Sequence, residues 1–262
     1  MQKNTQSKLS SLQRSACLLI TGAMNTSPGA ALDALLNLPP LFLYLEKEAR
    51  EGMYRVICQK EVNWLSQVMR NLQNSVLDIP VLGMPSDTMT PNYYFQRNYT
   101  VEIPDRDRWL KNEITWKAGS LKCYTDGSKS GKDVGCGTYG EKPRVKIHRN
   151  LGTYTSIFQA EVYAIIDCAE ALQQNNYVNR TIYIHSDSQA ALSALSAEVI
   201  TSRLVENCWQ CLNNLGNRNQ VILRWVPGHA GIVGNEKADQ LAKLGARLPQ
   251  TGPEPFCENF QE

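Results

Sequence analysis

An α/β domain preceded by a small helical segment is the fold class that this chain of 262 residues predicts, and three observations predict it. Beyond residue 118, runs with a two-residue period alternate with runs whose apolar residues recur at three and four, as in a sheet flanked by helices. The first third carries only the helical period. Within the later part, four acids stand in short, distinctive phrases: Asp126 in Tyr124-Thr125-Asp126-Gly127-Ser128, Glu161 in Phe158-Gln159-Ala160-Glu161, Asp187 in His185-Ser186-Asp187-Ser188-Gln189, and Asp239 in Asn235-Glu236-Lys237-Ala238-Asp239.

Taken in order, residues 1–73 read as a helical connector. Leu9, Leu12, Ala16, Leu19, Ile20 and Ala23 form one apolar stripe. Ser27 is placed to cap a second helix with Pro28 at its first position, and Pro39-Pro40 ends it. A third amphipathic helix is expected from Leu41 to about Leu72. Residues 74–117, with Pro80, Pro85, Pro91 and Pro104 among polar and aromatic residues, read as a linker.

Residues 118–247 carry the α/β pattern. Leu121 to Thr125 alternates as a strand that should end at Asp126-Gly127-Ser128, followed by two short glycine-bounded strands, 135–139 and 144–148. Phe158, Val162, Ile165, Ile166, Ala169 and Leu172 give a helix with Glu161 on the edge of its apolar face. Thr181 to His185 is a further strand, delivering Asp187 to the position that Asp126 holds on the first, and a serine of Ser186-Asp187-Ser188 can cap the next helix. The strand 221–226 leads through Pro227-Gly228-His229-Ala230-Gly231 to a last helix, which Asp239 leaves one step off the buried face. Residues 248–262, with Pro249, Gly252, Pro253 and Pro255, read as a flexible tail.

Composition narrows the function classes little. A formal net charge of +2 implies that any basic surface for a polyanion must be local. Eight cysteines lack paired spacings: Cys208-Trp209-Gln210-Cys211 has no second pair beside it, so a zinc site is disfavoured and the thiols read as reduced core residues. Ala16-Cys17-Leu18-Leu19-Ile20 is too short for a signal or a membrane span. The expected location is intracellular, nucleus and cytoplasm being undistinguished, with no membrane partner and no small-molecule cofactor.

Carboxylates gathered without cations would force one another to protonate. Oxygen-only ligands favour hard Mg²⁺, or Mn²⁺, and such a cluster can clamp two ions roughly 3.5–4 Å apart around an in-line displacement at phosphorus. Hydrolysis of a phosphodiester follows. His229, alone in a glycine-bounded loop, is placed to position water or protonate the leaving oxygen.

Through Tyr-Thr-Asp-Gly-Ser, Gln-Ala-Glu, Ser-Asp-Ser-Gln, Trp-Val-Pro-Gly-His-Ala-Gly and Asn-Glu-Lys-Ala-Asp, all in the family's order over residues 118 to 247, the sequence resembles ribonuclease H of type 1. The resemblance implies a five-stranded mixed sheet, hydrolysis of the RNA strand of an RNA/DNA hybrid, Asp126, Glu161, Asp187 and Asp239 as metal ligands, His229 as the mobile-loop histidine that assists turnover, and Gln189 in the substrate's minor groove. An A-like minor groove is wide, shallow and lined with 2′-hydroxyls, so short polar side chains suit it, and Ser128, Ser156, Ser188 and Gln189 are the candidates. Two features depart from the family. Ile157 and Phe158 stand where relatives often carry amides, and the stretch between Asp187 and His229 has few basic residues. Segments 10–31 and 36–41 resemble the connector between reverse transcriptase and ribonuclease H in non-LTR retrotransposon polyproteins. That resemblance implies a retroelement origin and the element's reverse transcriptase as a partner. The competing reading is a catalytically weak or inert nucleic-acid-binding relic.

Overall fold

The computed structural model describes residues 3–58, 86–250 and 254, which group into two compact units, 1–83 and 84–262. In the first, α1 (Lys3–Thr21), α2 (Gly29–Leu35) and α3 (Leu41–Cys58) follow the three sequence stripes. Cys17, Leu32 and Met53 are its buried apolar residues. Gln13 of α1 ties the helices together, its amide donating to Asp33 Oδ1 and to the Pro39 carbonyl, each at 3.0 Å. Ser27 does not cap α2: Pro28 takes the cap position, and the Ser27 carbonyl accepts from Arg14 instead. The expected continuation of α3 to about Leu72 lies outside the described residues.

In the second unit, the main sheet has six strands in the order β2-β8-β6-β3-β4-β5. These are β2 (Tyr99–Glu102), β3 (Leu121–Ser130), β4 (Asp133–Gly140), β5 (Val145–Gly152), β6 (Thr181–Ser186) and β8 (Gln220–Trp225). β3, β4 and β5 form an antiparallel meander, while β6, β8 and β2 add in parallel beyond β3. The sheet is mixed, as the sequence implies. Its sixth strand, β2, comes from the stretch read as linker: Tyr99 to Glu102 pairs with Val221 to Arg224. β3 also differs from expectation, since it does not stop at Asp126 but runs on to Ser130, paired with β4. A separate two-stranded sheet joins β1 (Thr88–Tyr93) to β7 (Val199–Ser202).

The helices are α4 (Arg106–Leu110), α5 (Ile157–Gln174), α6 (Gln189–Ser196), α7 (Arg203–Gly216) and α8 (Val233–Arg247). Alternation along the strands assigns the two faces of the sheet. Ile182 and Ile184 of β6 join the main core with Ile165 and Leu172 of α5, Leu192 and Leu195 of α6, and Leu204, Cys208 and Leu212 of α7. Tyr183 and His185 stand at the alternate positions of β6. His185 stacks on Tyr124 of β3 at 4.5 Å between centroids and meets Trp109 of α4 edge-on at 5.9 Å.

Helix α8 lies directly on β4 because two of its residues lack side chains. A Cβ on Gly135 or Gly137 would come within 2.2 Å of the Ala246 nitrogen or 2.3 Å of the Ala242 nitrogen. The small faces Ala238, Ala242 and Ala246 are fully buried there. Substituting either glycine would push α8, and Asp239 with it, off the sheet.

Candidate active site

Asp126 occupies the sixth position of β3, one residue past the last parallel pair, Thr125 with Ser186. Asp187 follows β6 immediately, so both carboxylates emerge where the parallel ladder ends, the usual place for a ligand on an open α/β sheet. Glu161 is delivered by the first turns of α5, whose start is fixed by a reciprocal capping box: the Ser156 hydroxyl accepts from the Gln159 N–H, and the Gln159 side chain accepts from the Ser156 N–H. The backbones approach closely here, since a Cβ on Gly127 would lie 2.8 Å from the Glu161 nitrogen.

One oxygen from each of Asp126, Glu161 and Asp187 lies within 4.8 Å of the other two. Asp126 is 6% and Glu161 5% exposed, a depth at which unpaired charge is costly. Burial, then the neighbouring Asp187 and Asp239, pushes the Asp126 carboxyl up to about 8. Glu161 is raised well above its ordinary range by burial and by Asp126 and Asp187, and burial raises Asp187 as well. Glu161 Oε2 is buried with no hydrogen-bond partner among the described residues. An orphaned carboxyl oxygen beside two further acids fits a hard divalent cation, because the cluster supplies oxygen ligands and lacks positive charge.

The opposite wall of this cleft, a cavity of about 340 Å³, is made by α8 and the loop before it. Asp239 lines the cleft but lies outside the group of three, and Lys243 one turn on holds it at 2.7 Å. Asn235, which sequence reasoning did not single out, donates its amide to Asp187 Oδ2 at 3.2 Å while its own Oδ1 has no partner among the described residues. His229 is exposed at the cleft with a left-handed backbone, φ 50°. The Trp225 indole donates to the Asp187 carbonyl at 3.0 Å and so ties the start of this loop to β6.

The expected substrate contacts divide. Ser128 lines the cleft, as does Ile157, but Ser156, Ser188 and Gln189 do not form its lining. Ser156 and Ser188 both serve as helix caps, Ser188 accepting from the Ala191 N–H. Gln189 begins α6 and is exposed.

A family model described as RNase H matches residues 118–247. The chain is 32% identical over 142 residues to ribonuclease H of Caulobacter sp. (strain K31), covering 48% of this chain and 88% of that protein. It is 32% identical over 153 residues to ribonuclease H of Jannaschia sp. (strain CCS1), covering 50% and 94%. Ribonuclease HI of Pasteurella multocida (strain Pm70) is 30% identical over 145 residues, covering 49% and 91%.

Proposed function

The chain belongs to the ribonuclease H family, whose members hydrolyse the RNA strand of RNA/DNA hybrids, and we propose that it carries out this reaction with two divalent cations, Mg²⁺ or Mn²⁺, held by Asp126, Glu161, Asp187 and Asp239. The observation that carries the proposal is the three-acid group, two of its members buried, together with a Glu161 Oε2 that has no hydrogen-bond partner among the described residues. When bound, such ions supply Lewis-acid stabilisation of charge at phosphorus and lower the pKa of water.

The protein's own residues prepare the rest. Asp126 and Asp187, rooted where the parallel pairing of β3 and β6 ends, fix the spacing of the ligands, and the Asn235 amide holds Asp187. Asp239 completes the set from α8, where Lys243 already offsets its charge. Exposed on its loop, His229 is free to position water or to give a proton to the leaving oxygen. Ser128 and Ile157 face the substrate groove, Ser128 as a hydroxyl that a ribose 2′-OH can meet. Gln189, exposed at the start of α6, is left to meet the substrate outside the cleft, while the Ser188 hydroxyl caps that helix. We further propose a retroelement origin, on the resemblance of the amino-terminal segment to the connector that follows reverse transcriptase, with that enzyme as the partner.

The test is cleavage of end-labelled RNA/DNA hybrid, RNA duplex and DNA duplex by the purified protein, with Mg²⁺ or with EDTA. Internal cuts confined to the RNA of the hybrid, requiring Mg²⁺ and absent with Asp187→Asn, are expected. Hybrid binding with no cuts under any cation would instead establish the inert relic.

A further inference from the structure

A second cavity, about 370 Å³, opens on the far side of the His229 loop. That volume lies within the ~300–1,000 Å³ of small-ligand sites. Its lining is aromatic rather than acidic: Trp109 of α4, Trp116 beyond it, and Tyr124 of β3, closed by Ala230, Gly231 and Ile232 of the loop. The two indoles meet edge to face, 6.1 Å between centroids. Lys122 holds its ammonium 3.9 Å from the centroid of Trp116, a ring of the cavity wall. Asn112, in left-handed backbone at φ 56°, adds an amide, and the buried Trp109 N–H has no acceptor among the described residues. The segment is tied down, since Arg224 of β8 donates to the Thr115 carbonyl at 3.0 Å and to Glu102 at 2.7 Å.

We propose that this cavity receives an unpaired nucleobase from a single strand continuing out of the hybrid held in the acidic cleft. The placement of the hybrid rests on the function proposed above. Three observations choose a base over another apolar ligand. Flat aromatic walls stack any base without regard to sequence, and stacking contributes about 1–3 kcal/mol per base. Lys122 supplies the positive charge that the phosphate joined to that base requires. Finally, one loop serves both sites, presenting His229 to the cleft and its next three residues to the cavity, so a strand leaving the first meets the second. Trp109, Asn112 and Trp116 all precede residue 118, where the family match begins. One wall of the cavity therefore comes from outside the matched residues and the other, Tyr124 and 230–232, from inside them.

The experiment uses the full chain in EDTA and fluorescence anisotropy with a short blunt RNA/DNA hybrid, then the same hybrid extended by four unpaired thymidines at either end. Extension at one end should tighten binding on the order of 10-fold. Trp116→Leu should abolish that gain while leaving blunt-hybrid affinity and Mg²⁺-dependent cutting of blunt hybrid within about twofold. Leu110→Glu, at an exposed position of the same lining, provides a second variant that does not disturb packing and should repel the extension. No gain from either extension in the wild type, or a gain that survives both substitutions, overturns the proposal. The two readings fail separately. A protein that cuts blunt hybrid but ignores extensions loses only the base pocket, and one that cuts nothing yet grips extensions through Trp116 loses only the nuclease.

Discussion

On the sheet side of the cleft, Asp126, Glu161 and Asp187 project from the end of the parallel ladder and a capped helix start, pressed together with an oxygen that has no partner among the described residues. On the α8 side, Asp239 keeps a lysine at 2.7 Å and His229 stands in solvent. The first wall holds like charges that only a cation or a proton can reconcile; the second is already neutralised and can adjust. In the proposed mechanism the demand for metal is thus concentrated in three of the four acids, and the proton-moving role falls to the other wall.

The strongest way to break this comparison is to remove one acid from each wall. Asp126→Asn or Glu161→Gln should lower hybrid cutting by about 10³-fold, because each removes a ligand oxygen without changing volume. Either should also raise the melting temperature in EDTA, since a buried like charge disappears. Asp239→Asn should cut activity less and leave that melting temperature unchanged or lower, its lysine partner being stranded. Equal effects of Asp126→Asn and Asp239→Asn on both rate and melting temperature would erase the distinction between the walls.

Smaller losses sharpen it. His229→Ala should slow cutting by about 10²-fold with little change in hybrid affinity, the effect of losing a proton-transfer group. Asn235→Ala should cost about 10–100-fold in the Mg²⁺ concentration needed for half-maximal rate, since it only orients Asp187. A Mg²⁺ titration of both variants separates them. A metal-concentration shift for His229→Ala, or none for Asn235→Ala, would reverse their assignments.

The four acids were legible in the sequence because each sits in a local phrase on or just after a strand or on a helix, although the sequence put the end of β3 at Asp126 and the strand runs on to Ser130. The Asp239 to Lys243 pair was legible in principle, being an opposite-charge pair four residues apart on a helix. Other features depend on contacts distant in the chain. β2 is four residues bounded by prolines nearby, and its pairing with β8 spans more than a hundred residues, so nothing in 99–102 distinguishes a strand from a linker. Likewise, Asn235 reaches Asp187 across 48 residues. Ser156 looked like a substrate group, although its spacing to Gln159 is that of a capping box. The cavity of Trp109, Trp116 and Tyr124 exists only because the segment before the domain folds back over the sheet.

The smallest effect tests the charge state of the sheet wall directly. Asp126 has its folded pKa raised from the ordinary 3.9 or so to about 8, so the folded protein holds a proton there that the unfolded chain releases. Stability from this group is fully present below about pH 4 and is lost as pH rises toward 8. Glu161 and Asp187 act in the same direction. His185 opposes them at lower pH: burial brings its folded pKa down to about 4, against the pull of the Nδ1–H bond to the Cys123 carbonyl at 2.9 Å, so its contribution is lost as pH drops through the range between 6.5 and 4. Above pH 6.5 the folded histidine is already neutral and at most half of the unfolded chain's still titrates, so the three acids dominate the profile. In EDTA the melting temperature should therefore fall by a few degrees between pH 6.5 and 8.5. Saturating Mg²⁺ should remove the fall, because cations bind the deprotonated cluster and stabilise the folded form alone. Asp126→Asn should flatten the EDTA profile in the same way. A wild-type profile in EDTA that is level across this interval would mean that the sheet wall carries no stored charge conflict, and the contrast between the two walls would then be geometric only.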